Sequence, residues 1–148
     1  DPAQSAFLAS KYGNTGIAEK KYLDITAGFD VSNFVFENFY INLQYNVNHI
    51  LDYEKGLLSG SLTEIEETGH KGIWAVSYEF GGLKYKIELA GNYNFTQKDY
   101  LLKPSFSLKI GPETKIIMGA YFFGGKRSTE LGQFKDKDFV YGKLEHLF

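Results

Sequence analysis

The sequence has no cysteine, three prolines, one methionine and one tryptophan among its 148 residues. Without cysteine, disulfides and thiol chemistry are excluded. No stretch approaches the roughly 18 consecutive apolar residues that a transmembrane helix needs. The formal net charge of −2 contains neither a basic excess nor an acidic tail. We therefore expect no transmembrane helix and no nucleic-acid partner.

Aromatic residues are abundant instead: 13 phenylalanines, 11 tyrosines and the tryptophan make up 17% of the chain. Apolar and polar residues alternate nearly throughout, as in FYINLQYNVNH from Phe39 and LKYKIELAGNYNF from Leu83. A period of two in aromatic-rich segments predicts strands that have one apolar and one polar face. Seven strands are predicted, at about 21–32, 39–49, 71–80, 83–95, 100–110, 115–124 and 138–148. Pro104 is a flaw in its strand, because proline cannot donate to the ladder.

The first residues, DPAQSAFLASKYG, allow two interpretations. Asp and Pro at the start and Gly at the end are typical of a helix. Residues 3–12 also fit an eighth strand, which we favour if the sheet closes, because an antiparallel up-and-down barrel has an even number of strands. No repeat or linker divides the chain, so we predict one domain over 1–148, with 1–20 as a helix or loop if it is not a strand.

The connections differ in length at the two ends of the predicted strands. Three are tight turns, at 33–35, 81–82 and 111–114. The longer, polar connections are 13–20, 51–70 and 125–137, with 96–99 as a short exception. Antiparallel strands joined up-and-down with short turns at one end and long loops at the other are typical of an outer-membrane β-barrel.

The predicted polar face carries charges and amides in mid-strand, whereas the apolar face carries large aromatics near strand ends. Aromatic rows at both ends of an apolar band are typical of membrane interfaces. A soluble, ligand-binding barrel of the lipocalin type also alternates and remains open as an alternative. The candidate lumen-lining residues are Asn42, Gln44, Asn46, Lys84, Lys86, Glu88, Lys103, Lys109, Lys143 and Glu145. The candidate interface aromatics are Phe39, Tyr45, Trp74, Phe80, Tyr85 and Phe95.

The final segment, VYGKLEHLF, resembles the last strand of bacterial outer-membrane β-barrels, which typically ends in Phe after alternating apolar residues. Val140, Leu144 and Phe148 match that pattern, and His146 departs from it. LLKPSFSLKIGPETKIIMGAYFFGG, followed by LGQFKDKDFVYGKLEHLF, resembles the end of large porin-like barrels. FDVSNFVFENFYINLQYNV is similar to a hairpin of such a porin. The resemblance covers about 21–148.

The resemblance implies a location in the bacterial outer membrane, contact with its lipid, and recognition of the last strand by the barrel-assembly machinery. It also implies that the chain is the C-terminal part, seven or eight strands, of a larger barrel. We accordingly expect porin-like passive diffusion of small solutes. A closed barrel of about eight strands with a structural or surface-interaction role is the alternative. The remainder of a larger barrel, or further copies of the chain, would be the partners.

No nucleophile motif, phosphate loop or metal-ligand spacing is present, so we expect no enzyme activity, no cofactor and no metal. His49 with Ser59 and Ser61 is the weak candidate for a lipid hydrolase; an interfacial polar residue is the simpler interpretation. The acidic residues of the 51–70 loop suggest either cation binding or a solvated loop. The inward lysines suggest either anion preference in a wide pore or pairing with Glu88 and Glu145 in a narrow barrel.

Overall fold

The structure is a computed structural model that describes residues 20–56 and 65–147. These residues form one antiparallel sheet, and its strands are β1 (Tyr22–Ser32), β2 (Phe39–Ile50), β3 (Thr68–Phe80), β4 (Tyr85–Asn94), β5 (Asp99–Lys109), β6 (Thr114–Gly124) and β7 (Phe139–His146). Within the described ranges, the one helical element is a short 3-10 turn, Gly132–Phe134. No helix in this part of the chain is long and apolar enough to cross a membrane.

Each strand pairs with the next strand along the chain, which gives the order β1 to β7 without crossovers. The predicted all-β, antiparallel, up-and-down arrangement is therefore confirmed. The sheet is open: β1 and β7 are its two edges, and the described residues do not pair them with each other. The predicted closure into a barrel is thus absent from the described strands. The predicted eighth strand, or helix, at 1–13 lies outside the described residues.

The register keeps the predicted polar residues of neighbouring strands on one side of the sheet. Asn46 lies directly opposite Thr26 on one side, and Ser77 lies opposite Glu88. Because the side-chain period of a strand is two, a slip of one residue would mix the two faces. The alternation in the sequence is therefore preserved as one polar face and one apolar face.

The polar side of the sheet contains its most buried side chains, and the apolar side is the more exposed one. On β4, Ile87 is 48% exposed and Leu89 is 40% exposed. On the polar face, Ser77 and Ser107 are only 5% and 6% exposed. Ile50 is the single buried apolar residue among those described. The sheet therefore has no apolar core of the kind that stabilises a soluble domain.

The strands are displaced along one another in a constant direction across the sheet. Phe39 of β2 and Gly142 of β7 lie on the same row of directly opposite residues. Toward the long loops, β2 continues from this row to Ile50, whereas β7 continues only to Phe139. Toward the short turns, β2 ends at the row and β7 continues to His146.

The strand midpoints consequently shift by about 1.2 residues per strand-to-strand step. We take a rise of about 3.4 Å per residue and a distance of about 4.8 Å between strands. If the strand midpoints are placed level with one another, as around a barrel, the strands then tilt by about 40° from the barrel axis. Closed barrels tilt their strands by about 35–45°. The open sheet therefore already has the stagger that closure requires.

Two strand boundaries differ from the prediction for local reasons. β3 begins at Thr68 rather than 71, because pairing with β2 extends through His70 and Gly69 despite their loop-like composition. β4 begins at Tyr85 rather than at 83, because residues 81–84 form the turn. In that turn, Leu83 has a φ of 65°, in the left-handed region.

The sheet accommodates a proline in a central strand because backbone pairing is interrupted on only one side of that strand. Pro104 lies opposite Leu89 of β4 in an unbroken register. On the other side, the pairing of β5 with β6 is interrupted at residues 103 and 104 and resumes at Ser105. The missing N–H of proline thus coincides with a gap on the β6 side, which is how a sheet tolerates the residue.

We expect Leu83→Asn to raise the free energy of unfolding by about 0.5–1 kcal/mol, because the left-handed conformation strains leucine and suits asparagine. Leu83 is 44% exposed, so the change removes little packing. The measurement is the urea midpoint of the folded band on semi-native gels of the detergent-purified chain. The control is Leu89→Asn in mid-strand, which should gain nothing. A midpoint that stays level or falls for Leu83→Asn contradicts this account of the turn.

Candidate functional site

The polar face collects the candidate lumen-lining residues. Nine of the ten lie on strands and share this face by register: Asn42, Gln44, Asn46, Lys86, Glu88, Lys103, Lys109, Lys143 and Glu145. Lys84 lies in the turn before β4, where its Nζ is 5.7 Å from the centroid of the Tyr85 ring. The polar face therefore forms one continuous surface from β1 to β7, and its two halves differ in chemistry.

The half formed by β1 and β2 is a network of amides, hydroxyls and a carboxylate. Asn46 Nδ2 donates to Thr26 Oγ1 at 2.9 Å and also to Asp24, while Asn48 Nδ2 donates to the same carboxylate at 3.3 Å. Gln44 Nε2 donates to Asn42 Oδ1 at 3.1 Å. Within the predicted run of amides, Gln44 therefore bonds to Asn42, whereas Asn46 and Asn48 bond to side chains of β1.

The half formed by β4 to β7 carries ion pairs. Lys86 Nζ lies 2.7 Å from Glu88 Oε2. Glu145 is shared by two lysines, with Lys143 at 2.7 Å and Lys115 at 3.7 Å. These side chains are roughly one-third to three-fifths exposed, so each pair contributes little to stability by itself. Lys86 and Lys143 thus pair with the two glutamates that the sequence suggested for them.

Lys103 has aromatic neighbours instead of a carboxylate. Its Nζ is 5.2 Å from the ring centroid of Tyr121 and 6.0 Å from that of Tyr141. Within residues 20–56 and 65–147, no carboxylate oxygen lies within 4.0 Å of this ammonium group. Both distances are in the range of a cation–π contact, and the carboxylate that attracts this ammonium group, Glu88, lies beyond 4.0 Å and pairs with Lys86.

Gly119 leaves the space that the ring of Tyr141 occupies. The two residues are directly opposite, and a Cβ at position 119 would lie 2.6 Å from ring atoms of Tyr141. The ring therefore lies across β6 toward β5 and Lys103. Glycine is required here because any side chain would occupy the space of the ring.

A line of rings on the polar face was not predicted. Tyr121 stacks on Phe139 at 4.8 Å and on Phe123 at 6.4 Å, and it contacts Tyr141 at 5.5 Å. The alternation that places Ile116, Met118, Ala120 and Phe122 on the apolar face places Tyr121 and Phe123 on the polar one. The signal was therefore present in the period of two, but aromatic residues do not stand out as members of a polar face.

The loop between β6 and β7 folds back over this line of rings. Phe134 of the loop contacts Phe123 at 5.6 Å between ring centroids. The backbone N–H of Leu131 donates to Asp99 Oδ2 at 2.8 Å, and Asp99 is fully buried. Its other oxygen, Oδ1, makes no hydrogen bond among the described residues. The loop is thereby attached to β5 on the polar side of the sheet.

The apolar face carries two groups of aromatic residues. Near the short turns, consecutive ring contacts of 4.8–6.2 Å link Phe39, Phe36, Tyr78, Phe80, Tyr85 and Phe106. Near the long loops, Tyr45, Phe95 and Tyr93 are in contact, and Tyr45 Oη is 2.9 Å from His70 Nδ1. Five of the six candidate interface aromatics belong to these groups. Trp74 lies at the middle of β3, because β3 begins earlier than predicted.

The candidate assembly residues lie on the edge strand β7. Val140 and Leu144 are 83% and 68% exposed on the apolar face. Phe148 lies outside the described residues. His146 Nδ1 is 2.9 Å from Thr114 Oγ1, which joins the last residue of β7 to β6.

The structure describes only part of the weaker chemical candidates. His49 Nδ1 contacts Thr68 Oγ1 at 2.8 Å, and Ser59 and Ser61 lie outside the described residues. In the acidic loop, Glu54 pairs with Lys20 at 2.8 Å. Across 20–56 and 65–147, no group of three or more histidine, aspartate or glutamate side chains is placed to hold a metal ion.

We expect Gly119→Ala to lower the free energy of unfolding by about 1–3 kcal/mol, because the added methyl group displaces Tyr141. Gly142→Ala is the matched control on the neighbouring strand: its Cβ meets nothing within 4 Å, so stability should hold or rise slightly. Urea midpoints of the detergent-purified variants make the comparison. Adding Tyr141→Ala should recover part of the loss from Gly119→Ala. Equal midpoints for the two glycine variants would contradict the packing described for Tyr141.

Comparison with models of protein families, with curated proteins and with solved structures found no match to this chain. The functional argument therefore depends on the chain's own residues, pairings and exposed surfaces.

Proposed function

We propose that the chain is part of a transmembrane β-barrel of a bacterial outer membrane, whose polar face lines a water-filled path for the passive diffusion of small solutes. The partners would be outer-membrane lipid, the barrel-assembly machinery during insertion, and the remainder of a larger barrel or further copies of the chain. The resemblance of the last strands to porin-like barrels supports the same proposal.

The observation that carries the proposal is the distribution of exposure between the two faces. A soluble barrel of the lipocalin type would turn its apolar residues toward a closed interior. Here Ile87, Leu89 and Met118 are 40–55% exposed, while the polar face holds the ion pairs and the buried serines. An apolar exterior with a polar interior is the arrangement of outer-membrane barrels.

The dimensions of the strands agree with a span of the outer membrane. An eleven-residue strand such as β1 or β5, tilted by about 40°, rises about 29 Å. The apolar band of a transmembrane barrel is about 25 Å tall and is bordered by aromatic rows. The two aromatic groups on the apolar face lie near opposite ends of the strands, where such rows would meet the two interfaces.

A closed barrel of about eight strands is the second candidate. It is favoured by the ion pairs of Lys86 with Glu88 and of Lys143 with Glu145, because an eight-stranded barrel fills its interior with its own side chains. Such a barrel would have no channel, and its role would be structural or would depend on its loops.

The first experiment is single-channel recording of the detergent-purified 148-residue chain in a planar bilayer. We expect stable current steps, because the polar face would line water. Silence, with insertion confirmed by heat-modifiable gel mobility, would overturn the pore and support the closed barrel. A chain that remains soluble without detergent and does not insert would overturn both.

Trp74, the one tryptophan of the chain, provides a separate test of membrane contact. It lies on the apolar face between Leu43 and Gly91. In reconstituted vesicles, we expect lipids brominated deep in the acyl chain to quench its fluorescence more strongly than lipids brominated near the headgroup. The control combines Trp74→Phe with Ala75→Trp, which moves the indole to the polar face and should remove the quenching. Equal quenching in the two proteins would contradict lipid contact at this face.

A further inference from the structure

A cavity on the polar face combines excess positive charge with aromatic rings. Its volume is about 360 Å³, within the range of small-molecule sites. The charged and aromatic lining residues come from β4 to β7 and are Lys86, Glu88, Lys103, Lys115, Tyr121, Tyr141, Lys143 and Glu145. Four ammonium groups face two carboxylates, so the cavity carries an excess of two positive charges at neutral pH.

The ion pairs divide these charges unequally. Glu88 is engaged by Lys86, and Glu145 is engaged by Lys143 and Lys115. Lys103 is the cation of this cavity that has no carboxylate of the described residues within 4.0 Å and contacts the rings of Tyr121 and Tyr141 instead. A second positive group would be repelled from this position, whereas an anion would supply the missing counter-charge.

Two rings beside Lys103, those of Tyr121 and Tyr141, line the same cavity. Tyr121 is stacked on Phe139 with an interplanar angle of 17°, and Tyr141 lies next to it. These rings lie on the face that also holds the ion pairs, so a solute that reaches the charges also reaches the rings. A planar body stacked on aromatic rings gains affinity beyond the area it buries.

We propose that this cavity binds small organic anions that carry a planar, aromatic body, with the carboxylate of the solute at Lys103 and its ring against Tyr121 and Tyr141. The binding deepens the proposed function by naming the class of solute that the path favours. The inference rests on the proposed function only for the access of the solute to the cavity. Binding itself can be measured without any current.

The test is equilibrium binding of three probes to the detergent-purified chain, measured by saturation-transfer NMR. The probes are 4-fluorobenzoate, 4-fluorobenzylamine and acetate. We expect 4-fluorobenzoate to bind about tenfold more tightly than either of the others, because only this probe offers both the negative charge and the ring. Equal or tighter binding of the amine would overturn the proposal.

Two lysine variants locate the site. Lys103→Met should weaken 4-fluorobenzoate binding about fivefold, since it removes the charge and keeps the length of the side chain. Lys109→Met is the matched control on the same face of β5; it lies outside the cavity, 4.0 Å from Glu79, and should change binding less than twofold. An equal effect of the two variants would assign the binding to general surface charge and overturn the proposal.

Tyr121→Leu separates the role of the rings from that of the charge. It should weaken 4-fluorobenzoate about threefold and leave acetate unchanged. If the binding of acetate weakens equally, the ring is not a stacking surface and the proposal fails.

Current without 4-fluorobenzoate binding would leave the pore standing and overturn this inference. Binding without current would support this inference and overturn the pore.

Discussion

Strands β1, β2, β4, β6 and β7 present exposed apolar side chains on one face, and the apolar rows of β3 and β5 are mostly half-buried. The largest apolar patch on a typical soluble monomer is about 300–600 Å². At about 25 cal/mol per Å² of apolar surface, contact with water would oppose this arrangement strongly. An apolar cover over that face would therefore stabilise the fold. Lipid meets the requirement without a partner of matching shape, and the stagger of the strands suits it.

Contact of the apolar face with lipid would also constrain the two edge strands of the sheet. In hydrocarbon, each unpaired backbone N–H or C=O costs several kcal/mol, so spanning sheets close on themselves. The outer sides of β1 and β7 are the unpaired ones in the described sheet. If the apolar face meets lipid, these two edges need further strands, from other parts of a barrel or from other copies. The constant displacement of about one residue per strand is what allows such strands to be added until the sheet closes.

The alternation of residue types was sufficient to predict the seven strands, their antiparallel order and which side chains share a face. It was insufficient where non-local contacts decide the outcome. Pairing with β2 extends β3 to Thr68, and no local signal marks that extension. The turn places the backbone of Leu83 in the left-handed region, which leucine does not favour. The position of Tyr141 over Gly119 depends on a register between strands twenty residues apart. The candidate lumen residues were predictable from the period, but the rings among them were not, because an aromatic side chain does not by itself indicate which face it occupies.

Lys103 connects this local packing to the width of the interior. In a narrow barrel filled by its own side chains, an ammonium group without a carboxylate would be removed from water at a cost of several kcal/mol. Cation–π contact with Tyr121 and Tyr141 recovers only about 0.5–2 kcal/mol of that cost. Beside a water-filled space, the same ammonium stays hydrated and the cost does not arise. The absence of a paired carboxylate among the described residues therefore favours a wet interior over a self-filled one, and Lys103 lies where a passing anion would also meet aromatic rings.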